Sequence, residues 1–320
     1  FYTMSAARIY SKTCRPFPAR FSTGVCACPR VGRLLTLFVL LALFLSMPVS
    51  ADIMVTDDAG RRVTLEQPAR RIVSLAPYIT ELLFAAGAGD ALVGVSEYSD
   101  YPAAARGIQR IGGGGGLDLE AIIALRPDLV IAWQSGNPTG QVARLQALGL
   151  TMYLSEPRQL GDVSQTLRRL GVLAGTEAVA ESGAGDFDRR QKRLKQKYAG
   201  LSPVSVFYQI WEHPLMTLNG EHLFSDVVRL CGGRNVFDEL PSLAPQVGIE
   251  AVLAADPDVI IIAADDDSPM LSGWRQWLSL GAVRHGHIYA VGRDRLVRHS
   301  PRILDGAEQL CEILERVRRQ

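Results

Sequence analysis

The chain has 320 residues, 48% of them hydrophobic and 21% charged, with a formal net charge of +1. That composition is ordinary for a globular protein and leaves room for two domains of typical size. A balance so near zero weighs against a nucleic-acid partner, whose binding domain carries a clear basic excess, and no long low-complexity tract marks disorder.

The first residues are of a different material. Leu34 to Met47 is an uncharged run of 14 residues, preceded by Arg30 and Arg33 and followed by small residues at Val49 and Ala51. A basic flank, a short apolar core and a small-residue exit describe a secretory signal peptide. Such a run makes about 21 Å of helix, short of the roughly 30 Å of a bilayer. Export with cleavage after Ala51 is therefore expected over a retained anchor. The chain does not begin with Met, and residues 1–30 read as an over-extended frame whose start lies at Met4 or nearer Val31. Cys14, Cys26 and Cys28 fall in the discarded part, which leaves Cys231 and Cys311. Two cysteines in an oxidising compartment are a natural pair, with two separately buried thiols as the alternative.

From Arg70 the pattern predicts alternating elements. "RRIVSLAP" reads as a β-branched strand stopped by Pro77, and "YITELLFAAGAG" as a helix with Ile79, Leu82, Leu83 and Ala86 at helical spacing. "ALVGV" (Ala91 to Val95) reads as a strand, 118–125 as a helix, 128–132 as a strand, "PTGQVARLQALG" as a helix and "TMYLS" as a strand. Strands alternating with short helices predict a parallel sheet wound with helices. From Asp162 to Tyr198 the alternation stops. Asp162 is a candidate helix cap, Gly175 and Thr176 interrupt the helix, and Glu177 to Tyr198 continues it for about 33 Å. Its "RRQKRLKQK" stretch reads as a solvated face. Alternation then resumes with strands at "VSVFYQI", 258–263 and "IYAV", helices at "EHLFSDVVRLC" and 248–254, and a closing helix at "PRILDGAEQLCEILERVRR".

The expected fold is α/β: two Rossmann-like lobes with parallel sheets, 52–160 and 201–320, joined by a long helix within 161–200. A rigid helical strut predicts small lobe movements. One unit is written twice. "LEAIIALRPDLVIA" (Leu119 to Ala132) and "IEAVLAADPDVIII" (Ile249 to Ile262) align without a gap, with Glu120 and Glu250, Pro127 and Pro257, and Asp128 and Asp258 in register. Ligands bind beyond the carboxyl ends of open parallel sheets, so facing carboxyl edges would make the inter-lobe cleft the site.

Nucleotide and catalytic signatures are weak. "GAGDALVG" lacks dinucleotide-loop spacing, and "GGGGG" (Gly112 to Gly116) lacks the Lys and Ser/Thr of a phosphate loop, so it reads as a pliable rim. No G-x-S-x-G elbow occurs. His285, His287 and Asp265 to Asp267 would serve a metal-dependent enzyme only with a third ligand at recognisable spacing, and they read as turns. Aromatics carry more. Trp133 follows the "LVIA" strand, Tyr98 and Tyr101 lie in the loop after "ALVGV", and Tyr208 and Trp211 end the "VFYQIW" strand. With Ser99, Asp100 and Asn137 nearby, they suit a large ligand that is part apolar and part polar; for Tyr208 a core role is the equal alternative.

"RIVSLAPYITELLFAAGAGDALVGVSEYSDYP", "LDLEAIIALRPDLVIAWQSGN" and "SPRILDGAEQLCEIL" resemble the cobalamin-binding periplasmic component of bacterial ABC importers. That component is a member of the helical-backbone (class III) solute-binding proteins, which also serve haem and ferric siderophores. The resemblance spans essentially the whole mature chain. It implies a monomeric, non-enzymatic receptor that captures cobalamin between its lobes and delivers it to a permease–ATPase complex. It implies no cofactor beyond the transported ligand. By the same resemblance Glu120 and Glu250 would dock onto the permease, and Cys231 and Cys311 would form the family's disulfide. Tyr98, Trp133, Asp294 and Arg298 match pocket positions, joined by Ser99, Asp100 and Trp211. The chain also departs from the pattern. Glycines 112–116 stand where a tryptophan is expected before the first glutamate, Leu243 or Ala244 replaces another, and Arg295 replaces an aromatic. The loss of stacking surface keeps haem or a siderophore as the alternative ligand. Haem binders of the class use a Tyr or His axial ligand; no tyrosine motif matches in the glycine loop, and His213 and His299 are the candidates.

Overall fold

The computed structural model describes residues 52–113, 115–264 and 268–320. The signal segment 1–51 with Cys14, Cys26 and Cys28, and the Asp265–Asp267 run, lie outside the described residues. The described chain opens on an antiparallel hairpin, β1 (Ile53–Thr56) with β2 (Arg62–Leu65), which the sequence pattern did not suggest. The first parallel sheet then takes β3 (Ile72–Ser74) and β4 (Leu92–Val95), and, after a minimal glycine hairpin of β5 (Gly112–Gly113) and β6 (Gly116–Leu117), β7 (Leu129–Trp133) and β8 (Met152–Ser155). The second takes β9 (Val204–Gln209), β10 (Gly233–Asn235), β11 (Val259–Ala263) and β12 (Ile288–Val291). The spatial orders are β4-β3-β7-β8 and β10-β9-β11-β12. Each lobe thus has the strand order second, first, third, fourth, with its second strand at one edge and its fourth at the other. Pro77 opens the Pro77–Ala85 helix, where its missing N–H costs nothing, and does not merely stop the strand before it.

The third strand of each lobe is the apolar run of the repeated unit, and it is buried on both faces as a parallel sheet requires. Leu129 and Ile131 of β7 pack into one core while Val130 and Ala132 pack into another. Val259 and Ile261 of β11 join the first of these cores, and Ile260 and Ile262 face a third. The turn that feeds each strand is also duplicated in detail. Arg126 (φ 46°) and Asp256 (φ 38°) take left-handed backbone just after the Leu119–Ala124 and Ile249–Ala255 helices. The aspartate of each Pro-Asp step then binds the neighbouring strand. Asp128 Oδ2 accepts from the Arg70 N–H at 2.8 Å, and Asp258 Oδ2 accepts from the Ser205 N–H at 2.7 Å.

The linking segment does not run straight. Helix Leu160–Ala174 ends at Gly175 (φ 67°), and helix Glu177–Tyr198 turns back along it. Arg168 pairs with both Glu181 and Asp188, and Gly171 lies so close to Ala180 that a Cβ there would come within 2.3 Å of it. Asp162 is not the cap; it is the third helical residue and closes a capping box with Gln159. The 22-residue second helix starts with the Thr176 hydroxyl on Ala86 O, in the first lobe, and passes Asp305 and Glu308 of the second, where Arg190 reaches both. One continuous core, from Val63 through Leu167, Ala184 and Phe224 to Val317, runs under both lobes.

At the seam between the lobes, aromatic rings meet edge to face. Trp133 lies 5.8 Å from Tyr78 and 5.9 Å from His299 between ring centroids, at interplanar angles of 88° and 74°. His299 Nε2 sits 3.3 Å from His222 Nε2. His222 Nδ1 accepts the Phe224 N–H, so its Nε2 carries the hydrogen and donates to His299. Burial holds the His222 pKa well below the usual imidazole range, with the His299 and Arg158 charges acting the same way. Burial brings His299 down to about 4. Both are neutral rings packed in the seam.

Two stability measurements follow from this architecture. A disulfide joins Cys231, at the end of the Leu223–Leu230 helix, to Cys311 in the Ile303–Arg318 helix across 80 residues of sequence. Replacing both cysteines with alanine is expected to lower the urea-unfolding free energy by about 4 kcal/mol on the loop-entropy estimate. The second is a pH dependence. An unfolded His299 takes up its proton near the ordinary imidazole pKa, whereas the folded one resists until about pH 4. The contribution is therefore complete at neutral pH and is lost as pH falls toward that value. Unfolding free energy should drop by about 2 kcal/mol on this account between pH 7 and pH 5. His299→Asn should shrink that difference.

Candidate functional site

The carboxyl ends of the two sheets face each other. β4 leads into the loop of Tyr98, Ser99 and Asp100, β7 ends on Trp133, β9 leads to Trp211, and β12 leads through Arg293–Leu296 to Arg298. Arg298 Nη1 donates to Asp100 Oδ1 at 2.9 Å and its Nη2 donates to Tyr98 O at 3.2 Å, so the two edges touch. On the second lobe's wall, two adjoining hollows of about 580 and 360 Å³ share Met270 and Arg293. Arg302 borders the larger one and lays its guanidinium 4.2 Å from the centre of the Tyr101 ring on the opposite lobe.

The expected site residues fall into two layers. Tyr98 (78% exposed), Tyr101 and Trp211 present open rings, and Asp294 is part-exposed on the same wall. The Trp211 indole N–H donates to His213 O at 3.0 Å, and Arg293 stands over the ring at 5.6 Å, which fixes the ring plane. Beneath lies Trp133, packed in the seam, with its indole N–H buried and without a protein acceptor among the described residues. Its ring folds back over Gly136, where a Cβ would fall 1.9 Å from the indole. Asn137 holds the Trp133 N–H at 2.7 Å and reaches Leu75 O.

Ser99 stands apart from the expected contacts. It is fully buried, and its hydroxyl is bonded to Thr80 at 3.1 Å and to Ser96 at 3.2 Å. Tyr208 is core, stacked on Phe224 at 3.9 Å. His299, engaged by His222, is no open axial ligand, while His213 is exposed. His287 has both ring nitrogens occupied, by Asp258 O and Gln320 Oε1. Among the described residues no cluster of His, Cys, Asp and Glu could hold a metal ion.

Electrostatics centre on a residue that sequence reasoning missed. Glu81, in the Pro77–Ala85 helix, is 3% exposed. Its carboxylate accepts from Arg298 at 2.8 Å, from the Ser300 hydroxyl at 2.6 Å and from Arg302 at 3.2 Å. Asp294 closes the group at 3.0 Å from Arg298 Nε. Burial raises the Asp100 carboxyl, but the Arg298 hydrogen bond and charge outweigh it and hold the pKa below the usual carboxylate range. The available signal was an acid set inside an apolar helical stripe, since a buried carboxylate requires cationic partners. Glu120 and Glu250 sit elsewhere, each exposed in the first turn of its repeated helix.

Comparison with known proteins agrees with this architecture. The family described as periplasmic binding protein matches residues 72–294. A vitamin B12-binding protein of Vibrio cholerae serotype O1 is 40% identical over 256 residues, covering 79% of this chain and 92% of that protein. One from Photorhabdus laumondii is 37% identical, covering 76% and 87%. The crystal structure of the periplasmic vitamin B12 binding protein BtuF of Vibrio cholerae superposes with a TM-score of 0.75 at 40% identity, covering 79% of this chain and 99% of that one. A periplasmic heme-binding protein from Roseiflexus sp. RS-1 shares the fold with a TM-score of 0.68 at 23% identity, covering 78% and 99%. Two wound lobes closed by a helical hairpin, with a family match from β3 to Asp294, mean that the chain belongs to the periplasmic binding protein family.

Proposed function

We propose that this chain is the periplasmic receptor of an ABC importer, exported with a cleaved signal peptide, which captures cobalamin between its lobes and hands it to the membrane permease. It acts by binding and release, without chemistry of its own. The observation that carries this reading is the presence of exposed rings on both lobes, Tyr98 on one and Trp211 on the other, with open hollows on the second lobe's wall, in a chain 40% identical to curated vitamin B12-binding proteins. Flat aromatic walls suit a broad macrocycle, and a few polar groups fix its orientation. Residues 52–160 and 201–320 are the lobes, with 161–200 as the link. Tyr98, Trp211 and Asp294 meet the ligand, and Trp133, Asp100 and Arg298 form the floor, with Ser99 supporting the loop from below. Glu120 and Glu250, at equivalent exposed turns of the two lobes, are the permease contacts.

Haem is the second reading, and a specific feature favours it. Arg293, Arg295 and Arg302 line the larger hollow, a wall suited to the carboxylates of a propionate-bearing macrocycle. Calorimetric titration of the purified protein with cyanocobalamin, hemin and a ferric siderophore decides between them. Heat with cyanocobalamin is expected, and tight hemin binding with no cyanocobalamin heat would reverse the assignment. Trp211→Ala should weaken the preferred ligand about tenfold by removing one wall. The pair Glu120→Ala with Glu250→Ala should leave affinity unchanged and abolish uptake in vesicles holding the permease; surviving uptake would reduce both to helix-terminal charges.

A further inference from the structure

Tyr98 projects its ring into the cleft from left-handed backbone (φ 63°), a conformation that residues with a side chain take only when the surroundings impose it. Two guanidiniums impose it from opposite sides. From its own lobe, Arg110 Nη1 donates to Ser96 O at 3.2 Å and to Ser99 O at 2.9 Å. From the other lobe, Arg298 donates to Tyr98 O at 3.2 Å and to the Asp100 carboxylate at 2.9 Å. Two carboxylates of its own surroundings fix the long Arg298 side chain: Asp294 holds Nε at 3.0 Å from a part-exposed position, and Glu81 holds the far end from a buried one. Glu81 takes the same Nη1 at 2.8 Å, and with its side chain 2% exposed it has no competing water. Arg302 and Ser300 complete the Glu81 coordination, so the carboxylate has little freedom to move.

We propose that Glu81 is the positioning residue of the cleft: by anchoring Arg298 across the seam it holds the 96–100 loop in the strained form that presents the Tyr98 ring. The ligand part of this inference rests on the receptor reading above; the loop part does not. Glu81 touches no ligand. It acts through Arg298, and its effect on binding is an effect on how often the Tyr98 ring is already in place. A ligand that binds only that form sees its affinity scaled by the population of the form.

The test uses Glu81→Gln in the full chain, which keeps the shape and removes the charge, with Arg298→Gln as a second variant cutting the same link from the other side. Hydrogen exchange of the amides at 97–100 in the unliganded protein should quicken about tenfold in either variant, while those of β7 and β11 keep their protection. Cyanocobalamin affinity should fall by a similar, about tenfold, factor in Glu81→Gln, and this loss should largely vanish when Tyr98→Ala is already present, because both changes act on one element. Unchanged loop exchange in both variants, or losses that multiply in the double variant, would overturn the inference. If the wild-type chain binds no cyanocobalamin, the ligand assignment fails, and the exchange measurement still decides the role of Glu81.

Discussion

A carboxylate buried between two lobes has to be neutralised where it stands, and Glu81 imposes that requirement on the whole cleft. Removing one partner of a buried ion pair costs several kcal/mol, since the remaining charge is left without water or a counter-ion. Arg298, Arg302 and Ser300 must therefore come to Glu81, and the segment that carries them is the connection from β12 into the closing helix. Once that connection is drawn in, His299 lands against Trp133 and Tyr78, and Arg298 is in reach of the Tyr98 loop. The seam and the site are thus consequences of one desolvated charge.

The duplicated units divide the labour between structure and function. What both lobes share is structural: the strand order, the left-handed residue after the helix, and the Pro-Asp carboxylate that ties a neighbouring strand. The exposed glutamate in the first turn is also shared. What they do not share is the residue at the end of the strand, Trp133 in one and Ala263 in the other, and the second wall is built from arginines and Trp211. A cleft between two like lobes can accept an unsymmetrical ligand because only the scaffold is symmetrical.

Periodicity revealed much of this architecture. The β7 and β11 runs, the helices around them and the doubled motif were legible because each has a local pattern and a proline or glycine boundary. The β1–β2 hairpin was not, since "IMVT" and "RVTL" are short and are ordered by pairing with each other. The reversal at Gly175 was read as an interruption only, because the Arg168 pairing with Glu181 and Asp188 that closes the hairpin is a tertiary fact. Tyr98 and Trp211 are exposed and Asp294 part-exposed, whereas Ser99 and Tyr208 are buried, a choice that residue type alone does not decide. Glu81 was hidden for a further reason. Its partners lie more than two hundred positions away, at Arg298 to Arg302.

The core that runs from Val63 to Val317 has a thermodynamic meaning beyond stiffness. Each lobe keeps a smaller core of its own on one face of its sheet, but the largest core is shared, and through it each lobe covers apolar surface of the other by way of the Leu160–Ala174 and Glu177–Tyr198 helices. Half of this chain, produced alone, would present an uncovered apolar face and associate or stay molten. The lobes look like two domains but, because they share this core, should melt as one, in a single calorimetric transition that takes cleft, strut and sheets together.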